Sequence, residues 1–447
     1  MGGDGKMGLV EATAMAVGII IGSSIFSLIG VGARIAGRDL PLAFALSSLA
    51  AAFVAYNYAR LGSTYVSNAG PIEFILRGLG DNLYTGVASF MLWFIYVSSV
   101  SLFAKTFAAY FLALTGYQLS PVNMAVVESI VIAFFVALNF KGSKAVGLAE
   151  TAIVAVKVGI LLLFVVAGLF TINPGYLAPD LSANGLKGAL YAATLFFLSY
   201  TGFGLVTNAS EDIRDPRRNV PRAIYLSLVI VTLIYIGVSI VAVGNMPIDE
   251  LVKAEEYALA KAAEPFLGNL GFTLVSIGAL VSVSSAINAS IYGGANVAYS
   301  LAKKGELPPI FERKTWFNEP EGLYITALLG LAMAVALNLE GVAAVTSSSF
   351  IIIYMGVILA HYKLADETRG SRPIILLSFI IVASILAILL YSQYRNNPSS
   401  FYAIILSYAV AAIGEYLYRG RTRRSFKRRP QYWEPQGGGD HDIKPGS

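Results

Sequence analysis

Two short stretches and one lysine carry the chemistry that this sequence offers. The first stretch is Val17-Gly18-Ile19-Ile20-Ile21-Gly22-Ser23-Ser24-Ile25-Phe26, and the second is Phe196-Phe197-Leu198-Ser199-Tyr200-Thr201-Gly202-Phe203-Gly204. Each sets Gly and Ser in the middle of an apolar run. Gly costs about 1 kcal/mol against Ala in a helix interior, and a serine hydroxyl competes for the local backbone. A helix interrupted there exposes free N–H groups at the start of the following half-helix, where the dipole is positive. Those groups suit a carboxylate. The carbonyls freed at the end of the preceding half-helix suit an ammonium. Such a pair would recognise the zwitterionic backbone of an amino acid and leave its side chain to a separate pocket.

The lysine is Lys157, in Ile153-Val154-Ala155-Val156-Lys157-Val158-Gly159-Ile160. It lies roughly 16 Å along its apolar run at 1.5 Å per residue, near the middle of a hydrocarbon core about 30 Å thick. A lysine at that depth costs at least about 2.5 kcal/mol and marks a functional group by default. A buried amine can gain and lose its proton as its surroundings change, which is what proton coupling requires. A permanently charged structural lysine bonded to backbone carbonyls is the other reading. Lys105 is a rival, placed nearer an outer span end, where snorkelling would satisfy it. Glu11, Glu128 and Glu150 fall near span ends, within reach of water or loops. Glu211 and Asp212 sit among Arg214, Arg217 and Arg218 as a salt-bridged loop or an inner gate.

The elements that must hold these groups follow from composition. The chain has 447 residues, 56% hydrophobic and 13% charged. A soluble protein carries about a quarter charged residues, so one large polytopic domain fits better than soluble ones. With no cysteine, disulfides, thiolate catalysis and thiolate metal sites are excluded. No cleavable signal peptide is expected, since the run from Leu9 is too long for one. A spanning helix needs roughly 20 mostly apolar residues, and twelve runs qualify: 9–34, 40–66, 84–114, 122–140, 146–172, 186–209, 220–244, 267–302, 323–339, 341–362, 373–392 and 400–418. Lys and Arg concentrate in alternate loops, among them Lys141, Lys144, Arg217, Arg218, Arg222, Lys303 and Lys304, and in the tail from Arg419 to Arg429. The long segment 245–266 on the other side is acidic. This asymmetry predicts both termini in the cytoplasm, and contact of the basic tail with anionic lipid head groups; it calls for no nucleic-acid partner.

The two interruptions fall in the first and sixth runs, five apart. Small residues in membrane helices also mark close packing, and either interruption alone reads that way. As a matched pair they point to a binding site between two repeats. The expected organisation is an all-α membrane protein of twelve transmembrane helices. A five-plus-five inverted repeat, with helices 1 and 6 discontinuous, would occupy residues 1–172 and 173–362. Two further helices over 363–419 and a basic tail over 420–447 would follow.

The stretch from Gly18 to Phe26 resembles the first-helix motif of the amino acid, polyamine and organocation transporter superfamily. Phe196 to Gly204, followed by Asn208-Ala209-Ser210-Glu211-Asp212 and the run from Asp215 to Ile224, resembles its sixth-helix signature. Ser67-Asn68-Ala69-Gly70-Pro71 fits the loop after helix two. The similarity runs along all twelve spans and is strongest to the archaeal-type, proton-coupled, broad-specificity amino acid transporters. It implies the leucine-transporter-like fold. It further implies that N–H groups of Gly22, Ser23 and Ser24 take the substrate carboxylate, and that carbonyls of Ile20, Leu198, Ser199 and Thr201 take the ammonium. Tyr200 joins that substrate-binding set, and Phe196, Phe197 and Phe203, again with Tyr200, are gate or side-chain-pocket candidates. Lys157 matches a fifth-helix lysine whose ammonium replaces a sodium ion, contacting the first helix near Gly18, with Ser282 as neighbour on span eight. The superfamily often has Gly where Ser24 stands, so the carboxylate geometry differs in detail.

The resulting expectation is import of amino acids by proton symport and alternating access in the cell membrane. No cofactor other than the coupling proton, no metal and no obligate protein partner is expected. An amino acid exchanger and a non-transporting sensor are the alternatives. A membrane enzyme lacks a catalytic constellation: the two histidines are His361 and His441, with no HExxH or P-loop. A channel would show rings of charge or filter repeats.

Overall fold

The computed structural model describes residues 6–422, apart from 23, 67–69, 141–145, 181, 304, 306 and 316–319; for 146–152, 205, 208, 421 and 422 it describes the backbone alone. Ser23, the Ser67–Ala69 part of the loop motif, the charges at Lys141, Lys144 and Lys304, and the tail beyond residue 422 therefore lie outside the described residues.

Every regular element described is helical. The helices are α1 (Leu9–Ile20), α2 (Ser24–Ala36), α3 (Leu40–Thr64), α4 (Gly70–Leu79), α5 (Leu83–Thr115), α6 (Pro121–Asn139), α7 (Val146–Leu169), α8 (Ala183–Phe196), α9 (Pro216–Asn245), α10 (Ile248–Ala254), α11 (Ala258–Lys303), α12 (Glu321–Ala336), α13 (Leu339–Lys363), α14 (Ala365–Thr368), α15 (Arg372–Asn396) and α16 (Pro398–Thr422). Among the described residues, eight helical stretches are long and apolar enough to cross a membrane. The count falls below the twelve apolar runs partly because the first and sixth runs are divided into pieces too short to qualify alone. The outer faces suit lipid: Val122, Val126, Ile130 and Phe134 form an exposed stripe at four-residue spacing along α6. Helix ends follow ordinary capping chemistry. Asn82, Ser120 and Asn338 each accept a backbone N–H from the first turn of α5, α6 and α13, and α5 ends on Gly116 at φ 75°.

The two interruptions are real but unlike. The first run stops at Ile20 and resumes as α2 at Ser24. The sixth was expected to contain a second α half-helix after its break; instead α8 passes directly into a 3₁₀ helix over Phe197–Asp212. Local hydroxyls favour the tighter winding. Thr201 Oγ1 donates to Leu198 O at 2.8 Å and Thr207 Oγ1 to Gly204 O at 2.6 Å, each three residues back. The eighth run lies within α11, which is broken at Gly268 (φ 61°, ψ −157°), a conformation that favours glycine.

The first and sixth runs pass one another in opposite order, from a short parallel bridge at Met7 to contacts at Gly202, Gly32 and Gly188. Met7 pairs with Ile213, its N–H donating to Asp212 O and its carbonyl accepting from Arg214 N, both at 2.8 Å. Gly202 abuts Ile19 and Ile20, Gly32 abuts the Phe196 ring, and Ile35 meets Gly188. Glycine at 202 is required by space: a Cβ there would stand 2.8 Å from Ile20 N.

A strap made of α10 and the turn Glu255–Tyr257 crosses α2. Its closest approach is at Gly30, where an added Cβ would strike the Glu255 carbonyl. Glu255 is held at φ 40°, which is strained for a residue with a side chain. We expect Gly30→Ala to push the strap off α2 and destabilise the protein by about 1–3 kcal/mol, read as a lowered midpoint of thermal unfolding in detergent; an unchanged midpoint would show that the strap yields freely.

Candidate functional site

The α7 face that carries Lys157 repeats every three residues. Val154 packs on Gly18, where an added Cβ would lie 2.5 Å from Val154 Cγ2. One turn on, Lys157 Nζ donates to Gly18 O at 2.6 Å, with 6% of the residue exposed. One turn further, Ile160 fills the space over Gly278 of α11. One turn along α11, Ser282 donates its hydroxyl to Gly22 O at 3.0 Å. Lys157, Gly18 and Ser282 are thus brought together around the first interruption. Ser282, expected as the neighbour of Lys157 on span eight, donates its hydroxyl to the Gly22 carbonyl within the interruption itself.

Further carbonyls around the two interruptions are capped in the same way, by side chains from other helices. Tyr235 of α9 donates to Ile20 O at 3.0 Å, and Tyr110 of α5 donates to Phe26 O at 2.8 Å. On the sixth run, Ser47 of α3 donates to Ala193 O at 2.7 Å and Ser347 of α13 to Thr194 O at 3.0 Å. Tyr354, also of α13, donates to Thr201 O at 2.9 Å. An α-helix leaves its last four carbonyls without internal partners, the position of Gly18 and Ile20 at the end of α1; burial without a partner costs about 1–3 kcal/mol each, whereas Phe26 lies in the first turn of α2 and Ala193 O also accepts the Phe197 N–H.

The remaining candidates surround this frame. Ser24 opens α2, whose first-turn N–H groups have no partner within the helix. The Leu198 carbonyl takes the Thr201 hydroxyl. Ser199 is 1% exposed and its hydroxyl has no hydrogen-bond partner among the described residues. Tyr200 donates its OH to Phe44 O at 3.1 Å, and its ring is set edge-on to Tyr235 at 5.3 Å. Phe196 stacks on Phe44 with ring centres 4.0 Å apart. Phe197 meets Tyr354 edge-on at 5.8 Å, while Phe203 stacks on Tyr354 at 6.0 Å and meets Tyr58 edge-on at 5.8 Å. Phe196, Phe197 and Phe203 are all buried.

The family model for amino acid permeases matches residues 7–413, nearly the whole chain. The chain belongs to the amino acid permease family. It is a multi-pass membrane transporter, not an enzyme. It is similar to an uncharacterized protein of Methanocaldococcus jannaschii, 56% identical over 421 residues, covering 94% of this chain and 97% of the relative. The inner membrane transport protein YbaT of Escherichia coli is 30% identical, covering 92% and 96%. The branched-chain amino acid permease BcaP of Bacillus subtilis is 26% identical, covering 82% and 83%.

Two charged side chains stand differently from their sequence reading. Glu128 lies mid-helix in α6 rather than near a wet end. Lys105 does not snorkel; it pairs with Glu128 at 3.4 Å, and both side chains are largely buried. Helix α6 turns the carboxylate inward, so the two charges neutralise each other. His361 is held by Asn57 and Thr368, with Nδ1 2.7 Å from Asn57 Oδ1 and Nε2 3.0 Å from Thr368 Oγ1. Sequence reasoning missed Tyr235, Tyr354, Tyr110, Ser47 and Ser347. Their one signal was a polar tip on an otherwise apolar face.

Tyr235→Phe keeps the ring contacts with Phe44 and Tyr200 and removes the donor to Ile20 O. The expected cost is about 1–3 kcal/mol of stability, visible as a lower unfolding midpoint, whereas Tyr235→Phe with wild-type stability would mean that the carbonyl finds another partner.

Proposed function

We propose that this protein imports amino acids across the cell membrane by proton symport. The observation that carries the reading is the buried Lys157 ammonium on Gly18 O, 2.6 Å away and just before the interruption of the first run. A charged amine there ties α7 to α1. Loss of the proton removes the charge assistance, which roughly doubles the strength of such a bond, and α1 is then freer to move. A ligand shifts an equilibrium only by its differential affinity for the two states. The proton must therefore favour one state of access, and Lys157 is the group through which it does so.

In this reading the chain crosses the membrane twelve times with both termini in the cytoplasm. Runs 1–5 and 6–10 form two inverted repeats, and two helices follow. The substrate sits between the two interruptions. Its carboxylate meets N–H groups of Gly22, Ser23 and Ser24, and its ammonium meets the carbonyls of Ile20, Leu198, Ser199 and Thr201. Ile20 O and Thr201 O each already accept a tyrosine hydroxyl; a carbonyl has a second lone pair for the substrate. Recognition of the backbone alone leaves the side chain to a pocket bordered by Phe196, Phe197, Tyr200 and Phe203, which supports broad specificity. The names of the relatives, an inner membrane transport protein and a branched-chain amino acid permease, agree with this reading.

The test is uptake of radiolabelled alanine by the purified protein in liposomes, with and without an inward proton gradient, beside Lys157→Ala. The gradient is expected to drive accumulation, and the variant to lose that dependence. Uptake that ignores the gradient but requires internal amino acid would make the protein an exchanger with Lys157 a fixed tie. Binding without accumulation would make it a sensor.

A further inference from the structure

The proposed site contains one polar group that the reading above does not use: the hydroxyl of Ser199. Its residue is 1% exposed, and its Oγ has no hydrogen-bond partner among the described residues. Its neighbours are all engaged. Thr201 Oγ1 is on Leu198 O, and the Tyr200 OH is on Phe44 O. A buried hydroxyl left unpaired is costly.

Its direction follows from the winding. Residues 197–212 form a 3₁₀ helix, in which side chains at i and i+3 eclipse. Ser199 therefore shares a face with Gly202, and Gly202 rests on Ile19 and Ile20 of α1. The opposite order of the two runs then sets its level. Gly202 is opposite Ile20, and Phe196 is opposite Gly32. Ser199 lies between them, so it faces the stretch of the first run just beyond Ile20. That stretch leads into the start of α2, where the N–H groups of Ser24, Ile25 and Phe26 have no partner within the helix. A hydroxyl can donate as well as accept. Beside N–H donors that their own helix does not use, the ligand group that complements both kinds of donor is an anion.

We propose that the Ser199 hydroxyl donates a hydrogen bond to the substrate carboxylate, joining the sixth run to the N–H groups at the start of α2 through the bound amino acid. This rests on the amino acid reading above. It adds a side-chain donor from the second interruption to a carboxylate site otherwise made of first-run backbone.

The experiment compares wild type, Ser199→Ala, Ser199→Thr and Ser101→Ala in proteoliposomes. Ser101 is a second buried, unpartnered hydroxyl, carried by α5. The readouts are the KM for alanine, inhibition by alaninamide (which lacks the carboxylate), and the unfolding midpoint without ligand. A charge-assisted hydrogen bond predicts roughly a tenfold or larger rise in alanine KM for S199A, with S199T near wild type and S101A unchanged. Alaninamide inhibition stays the same in S199A, and the ligand-free midpoint does not fall, since the variant removes an unpaired group. An unchanged alanine KM in S199A overturns the proposal, as does equal weakening of alanine and alaninamide. A KM rise shared by S101A, or failure of S199T to restore binding, also overturns it. If the wild type takes up and binds no amino acid, the amino acid reading and this inference fall together; if it transports and S199A matches it, only this inference falls.

Discussion

A peptide carbonyl inside an apolar medium needs a hydrogen-bond partner, and a helix that stops in mid-membrane deprives several carbonyls of theirs at once. At the first interruption, neighbouring helices answer that deficit at Gly18, Ile20 and Gly22. Lys157, Tyr235, Ser282 and Tyr110 reach the first run from α7, α9, α11 and α5. Ser47, Ser347 and Tyr354 reach the sixth from α3 and α13. The seven donors come from six helices, so the interruptions also fix how those helices sit. Among these donors only the lysine is an ionisable amine; the others are neutral hydroxyls.

The second constraint is close approach. Gly18 admits Val154, Gly32 admits the Phe196 ring, and Gly202 admits the backbone of Ile20. The last of these contacts sets main chain of the two runs side by side without an intervening layer of side chains. Polar backbone from both runs can then face one small ligand. Placed a helix diameter apart, the same groups could not.

Much of this was legible in the sequence. The apolar runs, the interruption at Gly22 and the setting of Lys157 inside an apolar run are one-dimensional features, set by hydropathy and local propensity, and the helices fall on the runs. The 3₁₀ winding after Phe196 was not legible as such. Gly and Ser signal a weakened α-helix but do not say whether it opens or tightens; the outcome depends on Thr201 and Thr207 bonding three residues back. The capping tyrosines were invisible for another reason. Tyr235 sits 215 residues from its partner Ile20, inside a segment that reads as any apolar helix. Glu128 and Lys105 were misread singly because their mutual neutralisation exists only when α5 and α6 are packed.

The join between Met7 and Ile213 has its own consequence. It is made wholly of main-chain groups, an N–H and a carbonyl of Met7 against Asp212 O and Arg214 N. Such a joint is indifferent to the side chains it connects. Sequence drift at residue 7 or at 212–214 can proceed without loosening it, except where proline removes an N–H. The leading edge of α1 and the trailing end of the sixth run are thereby yoked as one mechanical part, by a fastening that leaves no mark in residue identity.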